Sequence, residues 1–200
     1  CYNKKVFKKS LRDFFFAYFS FSVIRYTMKN MNFLKSNMIL GTVFVLITGT
    51  ISHFIYDWSG QNYILGLIFP TNESTWEHMK LVFFPMLLCA FFLNRRLMAD
   101  YPCITSALLA GILLGTFLIP VLFYSYSGIL GNHFLWLDIA VFALSVITAF
   151  WAACRLTLSC RAKDYGNLFG LLVFVVLLCF LFFTYHAPAL GLFADPTKQL

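Results

Sequence analysis

The sequence has little charge for its length, and that scarcity excludes a water-soluble domain. Only 12% of its 200 residues are Asp, Glu, Lys or Arg, against about 25% in soluble proteins. Apolar residues make up 60% of the chain. A soluble fold of this size has no means of hiding so much apolar surface, so membrane lipid must cover it.

The chain also lacks the short motifs that identify common enzyme classes. It contains no phosphate-binding P-loop, no GxSxG and no HExxH. Its cysteines show no CxxC spacing and no regular disulfide framework, so we expect them to be small buried apolar residues. These cysteines are Cys1, Cys89, Cys103, Cys154, Cys160 and Cys179.

What the sequence does contain is a series of apolar runs long enough to cross a membrane as helices. They predict an all-α integral membrane bundle of five transmembrane helices. The predicted spans are Met38–Ile55, Trp76–Leu93, Cys103–Tyr126, Phe134–Leu156 and Asn167–Tyr185. Gly111 and Gly115 form a GxxxG pair in the third span, which we interpret as helix packing inside the bundle.

The basic residues predict the orientation of this bundle. Thirteen of the fifteen Lys and Arg residues fall on one side of the predicted spans. The positive-inside rule therefore places the N-terminus inside and the C-terminus outside. This rule also accounts for the net charge of +7, so we expect membrane lipid as partner and no nucleic acid. Protein partners stay open.

The first thirty residues differ from the rest of the chain. They are basic, and their apolar stretch Phe14–Ile24 has eleven residues, which is too short to span a bilayer. We expect residues 1–30 to be an N-terminal extension outside the native fold, and residues 31–200 to form the transmembrane domain. An interfacial amphipathic anchor is the alternative.

The polar side chains concentrate at one end of the predicted bundle. His53, His78, His133 and His186 all fall at the outer ends of spans, on four different helices. His53 and Asp57 share a helical face because they are four residues apart. We expect His53, Asp57, Glu77 and His78 to converge in one site.

A predicted helix cap and a second acidic residue lie at the same outer end of the predicted bundle. Ser74 predicts the N-cap of the second span, with the Glu77 side chain reaching back to the Ser74 amide. Asp138 lies inside the fourth span, where an unpaired carboxylate is costly. We expect it to pair with Lys80, His53 or His78.

Three interpretations of this cluster stay open. In the first it holds a divalent metal such as zinc, with His53, Asp57, His78 and His186 as the pool of ligands. Glu77 or Asp138 would then be the base of a membrane-embedded hydrolase acting on a lipid-linked substrate. In the second the groups relay protons in a small transporter. In the third the cluster is structural, and the protein has a binding or accessory role.

The polar region resembles a family of bacterial multi-pass membrane proteins catalogued as domain of unknown function 6512. The resemblance rests on His53–Gly60, Pro70–Leu81 and Phe83–Met86, and more loosely on Phe183–His186 and Phe193–Pro196. It covers about Met31 to Leu200. It implies a prokaryotic plasma-membrane protein and implies no activity.

Overall fold

The computed structural model describes residues 3–195, and for residues 3–30 it describes the helical backbone only. Within these limits every regular element is helical. The chain divides into two compact units, Cys1–Asn37 and Met38–Leu200. The functional residues discussed below all lie in the second unit. The expectation that residues 1–30 are an N-terminal extension stays a prediction, because the side chains of these residues lie outside the described part of the chain.

The second unit is a bundle of long helices with short connections. The α-helices of the described chain are α1 (Asn3–Trp58), of which the second unit contains the part from Met38 onward, α2 (Tyr63–Gly66), α3 (Thr75–Leu97), α4 (Ile104–Leu130), α5 (Leu135–Ser159) and α6 (Gly166–Phe183). Short 3₁₀ turns lie before α6, at Lys163–Tyr165, and after it, at Gly191–Phe193.

Five of the helical segments are long and apolar enough to span a membrane, which confirms the predicted number. These segments are Met31–Trp58, Thr75–Leu97, Ile104–Leu130, Leu135–Ser159 and Lys163–Phe183. Their orientation in the membrane stays a prediction. We call the end that carries His53, His78, His133 and His186 the histidine end, and the end that carries Arg95, Arg96, Arg155 and Arg161 the arginine end.

Helix α3 is the most enclosed of the five, which explains why it tolerates polar residues. Its most apolar window is 67% buried, whereas that of α6 is 17% buried. Val82, Phe83 and Met86 are fully buried. Ser74 caps the helix as predicted, because its Oγ accepts a hydrogen bond from the Glu77 amide at 3.3 Å. The polar side chains of Thr75, Glu77 and Lys80 on α3 are buried and therefore face protein rather than lipid.

Small residues bring α4 and α5 into close contact, as the GxxxG pair predicts. A Cβ added at Gly115 would lie 2.8 Å from the Ala149 Cβ, and one at Gly111 would lie 2.9 Å from the Ala149 carbonyl oxygen. Any larger residue would push these helices apart.

The expectation that all six cysteines are buried apolar residues was wrong for two of them. Cys103 and Cys160 form a disulfide that links the residue before α4 to the residue after α5. The two positions are 57 residues apart in the chain. Their proximity results from the antiparallel packing of α4 and α5, which spacing alone does not encode.

Candidate functional site

Two histidines and one glutamate meet at the histidine end of the bundle. The Nε2 atoms of His53 and His78 lie 3.6 Å and 3.4 Å from the same carboxylate oxygen, Oε2 of Glu73. The two imidazole rings meet edge to face, with centroids 5.3 Å apart. One ligand atom from each of the three residues falls within 4.8 Å of the others. We call these three residues the His–Glu cluster.

Three separate elements supply the cluster. His53 lies near the C-terminal end of α1, and His78 lies in the first turns of α3. Glu73 precedes α3, in the turn that leads to its Ser74 cap. The side chains of His53, Glu73 and His78 are 31%, 46% and 27% exposed, so the cluster opens to its surroundings.

The His78 ring is oriented by a backbone contact. Its Nδ1 lies 3.0 Å from the Ser74 carbonyl oxygen. A carbonyl oxygen only accepts, so Nδ1 must carry the proton of that hydrogen bond. In the neutral ring Nε2 is then a lone pair that faces the Glu73 carboxylate. Two acceptors at 3.4 Å repel each other unless a proton or a cation lies between them.

The electrostatics of Glu73 follow from its two neighbours. The contact with the His53 ring lowers the pKa of Glu73 below its ordinary value, and the nearby His78 imidazole contributes in the same direction. Partial burial opposes this shift. The carboxylate is therefore ionised at neutral pH and available to bind a cation.

The donor set fits a divalent transition metal. Zinc binds imidazole nitrogen and carboxylate oxygen at about 2.0–2.2 Å, so two ligands of a tetrahedral site lie about 3.3–3.5 Å apart. The two Glu73–histidine distances are close to that separation. A histidine ligand commonly donates its other ring N–H to a backbone carbonyl, as His78 does to Ser74.

Glu77 does not join this cluster, contrary to the expected convergence. Its Oε2 accepts hydrogen bonds from the Thr71 amide at 2.9 Å, the Thr71 hydroxyl at 3.2 Å and the Lys80 ammonium at 2.8 Å. It is 1% exposed. The predicted contact with the Ser74 amide was also wrong, because that amide donates to Asn72 Oδ1.

Asp138 also lies elsewhere, and its predicted partners were wrong. The Tyr126 hydroxyl donates to Asp138 Oδ1, and His133 Nδ1 lies 3.6 Å from Asp138 Oδ2. All three residues belong to the α4–α5 connection and its flanking turns. Lys80, His53 and His78 were expected because their depth in the membrane is similar, but depth does not say which helices are neighbours.

The remaining two predicted ligands stand apart from the cluster. Asp57 is exposed one turn along α1 from His53. His186 is exposed and stacks on the Phe182 ring at 4.8 Å, and its Nδ1 lies 3.2 Å from the Phe182 carbonyl oxygen. Neither contributes a ligand atom to the group of His53, Glu73 and His78.

Sequence reasoning left Glu73 out of the ligand pool, although it is the residue that joins the two histidines. The signal was its position one residue before the helix cap. A side chain there can fold back over the first turns of the helix, where His78 lies.

Comparison with known families agrees with the resemblance in the polar region. The chain belongs to the family described as "Family of unknown function (DUF6512)", which matches residues 26–199. No curated protein and no solved structure matches the chain. The family name assigns no activity, so the chemistry must be argued from the site itself.

Proposed function

We propose that this membrane protein binds a divalent transition metal ion such as zinc through His53, Glu73 and His78. The observation that supports it best is the shared contact of two imidazole nitrogens, from two different helices, with one carboxylate oxygen. The orientation of His78 adds to it, because in the neutral ring with its proton on Nδ1 the Nε2 lone pair faces Glu73, and a cation between the two would relieve their repulsion.

The proposal includes the location of the site. The charge distribution supports an orientation in which the histidine end faces outward from a plasma membrane and the N-terminus lies inside. The cluster then meets metal ions from outside the cell.

A metal titration tests this proposal. Purified protein, stripped with a chelator, is titrated with zinc by calorimetry at neutral pH. We expect one ion per chain. His78→Ala and His53→Ala should each abolish the high-affinity site. His186→Ala is the matched control, because it removes an exposed histidine from the same end of the bundle and should leave binding unchanged.

Two results would contradict metal binding. One is a wild-type protein that binds no zinc above the level of empty detergent micelles. The other is equal loss of zinc in His78→Ala and His186→Ala, which would indicate nonspecific binding by exposed histidines.

A metal-assisted hydrolase is the second candidate function, favoured by the number of ligands. Three protein ligands leave one position of a tetrahedral zinc ion open, which is the pattern of catalytic rather than structural sites. Glu77 is engaged by Lys80 and Thr71, so it is no longer our candidate base. Release of a fluorescent fatty acid from a lipid ester by the zinc-loaded protein, absent in His78→Ala, would support this candidate.

A further inference from the structure

We propose that Thr71, Glu77 and Lys80 are positioning residues, which hold the turn carrying Glu73 so that its carboxylate reaches both histidines. This inference rests on the proposed metal binding. It replaces the expectation that Glu77 is a catalytic base.

The first link joins the Glu73 turn to α3 on its N-terminal side. Thr71 lies two residues before Glu73, and both its amide and its hydroxyl donate to Glu77 Oε2. Glu77 belongs to the same helix as His78 and directly precedes it. The chain entering the turn is thus fixed to the element that carries one of the histidines.

The second link fixes the turn on its C-terminal side. The Ser74 amide donates to Asn72 Oδ1, and the Ser74 hydroxyl accepts from the Glu77 amide. The Ser74 carbonyl oxygen receives the His78 ring at 3.0 Å. Hydrogen bonds therefore tie the residues on both sides of Glu73 to the helix that carries His78.

Lys80 pairs with the buried Glu77 carboxylate. Its ammonium is within 2.8 Å of Glu77 Oε2, 3.0 Å of the Gly66 carbonyl oxygen and 2.6 Å of the Thr184 hydroxyl. Lys80 is 1% exposed. Its three N–H donors are matched by three acceptors. A buried carboxylate without such a partner is strongly disfavoured, so Lys80 allows Glu77 to accept from Thr71.

Lys80 also anchors the chain further upstream. Through Gly66 it contacts α2, and through Thr184 it contacts the end of α6. The segment between α1 and α3 is thereby tied to α3 at both Gly66 and Thr71. Fixing this segment before metal arrives removes much of the ordering cost that an exposed glutamate ligand would otherwise add to binding.

Metal affinity and coordination geometry test this inference. Wild-type protein, Glu77→Gln, Thr71→Val and Thr105→Val are titrated with Co²⁺, whose visible absorption reports its coordination. Glu77→Gln should weaken Co²⁺ binding about 10–100-fold, the range found for residues that orient metal ligands. Thr71→Val, which keeps the amide contact, should weaken it less. Both should alter the absorption spectrum.

Thr105→Val is the matched control. It makes the same substitution as Thr71→Val and removes a hydroxyl that donates to an α3 side chain, Asn94, near the other end of that helix. It should leave the Co²⁺ affinity and spectrum as in the wild type. This separates positioning of the Glu73 turn from the loss of any threonine hydroxyl that contacts α3.

The outcomes distinguish this inference from the proposed function. A wild-type chain that binds no Co²⁺ overturns both. Wild-type binding with an unchanged affinity and spectrum in Glu77→Gln and Thr71→Val overturns the positioning role alone. If Glu77→Gln does not fold, Thr71→Val decides the question, since it removes one hydroxyl and leaves the Glu77–Lys80 pair intact.

Discussion

Glu73 is the residue on which the candidate site depends, because its carboxylate lies close to both histidines. The two histidine rings contact each other only edge to face. His53 and His78 come from separate helices, and two imidazole rings have no opposite charges that would attract them to each other. At neutral pH the Glu73 carboxylate attracts whatever lies between the two rings, whether a proton on one of them or a metal ion. Protonation of Glu73 at low pH should therefore weaken the cluster, and this can be measured in the metal-free protein.

Acid should weaken the metal-free cluster at a pH set by Glu73. Its pKa is lowered by His53 and His78. The stabilisation is therefore complete above the pKa of an unfolded glutamate, about 4.3, and is lost as the pH falls through the lower folded value. Because Glu73 is about half exposed, its contribution should be at most about 1 kcal/mol.

The measurement compares thermal unfolding of wild type and Glu73→Gln in chelator between pH 7 and pH 3. The wild type should melt higher than Glu73→Gln near pH 5, where the carboxylate is ionised and an imidazole can carry a proton, and the difference should shrink below about pH 4.3. A difference that grows between about pH 4.3 and pH 3 would show that the sign of this interaction is wrong.

Asp138 should prove independent of the metal site. Its carboxylate accepts from Tyr126 and lies near His133, in a part of the bundle separate from the His–Glu cluster. The amide of Asp138→Asn keeps an oxygen that accepts from Tyr126. We expect unchanged zinc stoichiometry and a stability change of about 1 kcal/mol or less, measured by calorimetry and thermal unfolding. Loss of zinc from this variant would place Asp138 in the site.

At the scale of elements, the sequence predicted α3 well and the chain before it poorly. Hydropathy located the span, and Ser74 located its first turn, since both signals are local. The contacts that organise the Glu73 turn are not local. Lys80 reaches Gly66, fourteen residues away, and Thr184, 104 residues away. Nothing in the spacing of these residues indicates that they meet.

Gly66 should be intolerant of any side chain. A Cβ at this position would collide with the Tyr185 hydroxyl and lie 2.8 Å from the Thr71 methyl and 2.9 Å from the Tyr56 ring. Gly66→Ala should therefore displace the segment that Lys80 anchors. We expect a loss of about 1–3 kcal/mol in stability together with weaker zinc binding.

Gly128→Ala is the matched control for Gly66→Ala. Gly128 lies inside α4, and a Cβ there would meet no atom within 4 Å. Alanine favours a helix interior over glycine by about 0.5–1 kcal/mol, so this variant should be as stable as the wild type or more so. Thermal unfolding of both variants checks the pair. Equal melting temperatures would contradict the close packing at Gly66.

At the scale of the whole molecule, composition predicted the class of protein and the number of spans, because burial in lipid requires long apolar segments. Composition and spacing did not predict the Cys103–Cys160 disulfide. That bond lies at the arginine end, which the positive-inside rule assigns to the cell interior. Disulfides are rare there because thiols are kept reduced. The charge pattern and the disulfide thus point to opposite compartments for the same end.

We expect the charge pattern to decide the orientation. Thirteen of fifteen basic residues favour one orientation, whereas a single disulfide favours the other. The test replaces the free cysteines with serine and introduces Asn132→Cys at the histidine end or Asp164→Cys at the arginine end, both at exposed positions. A membrane-impermeant maleimide should label Asn132→Cys in intact cells and Asp164→Cys only after permeabilisation. The reverse pattern would place the disulfide outside, where it is expected to be stable, and would turn the His–Glu cluster toward the cytosolic metal pool.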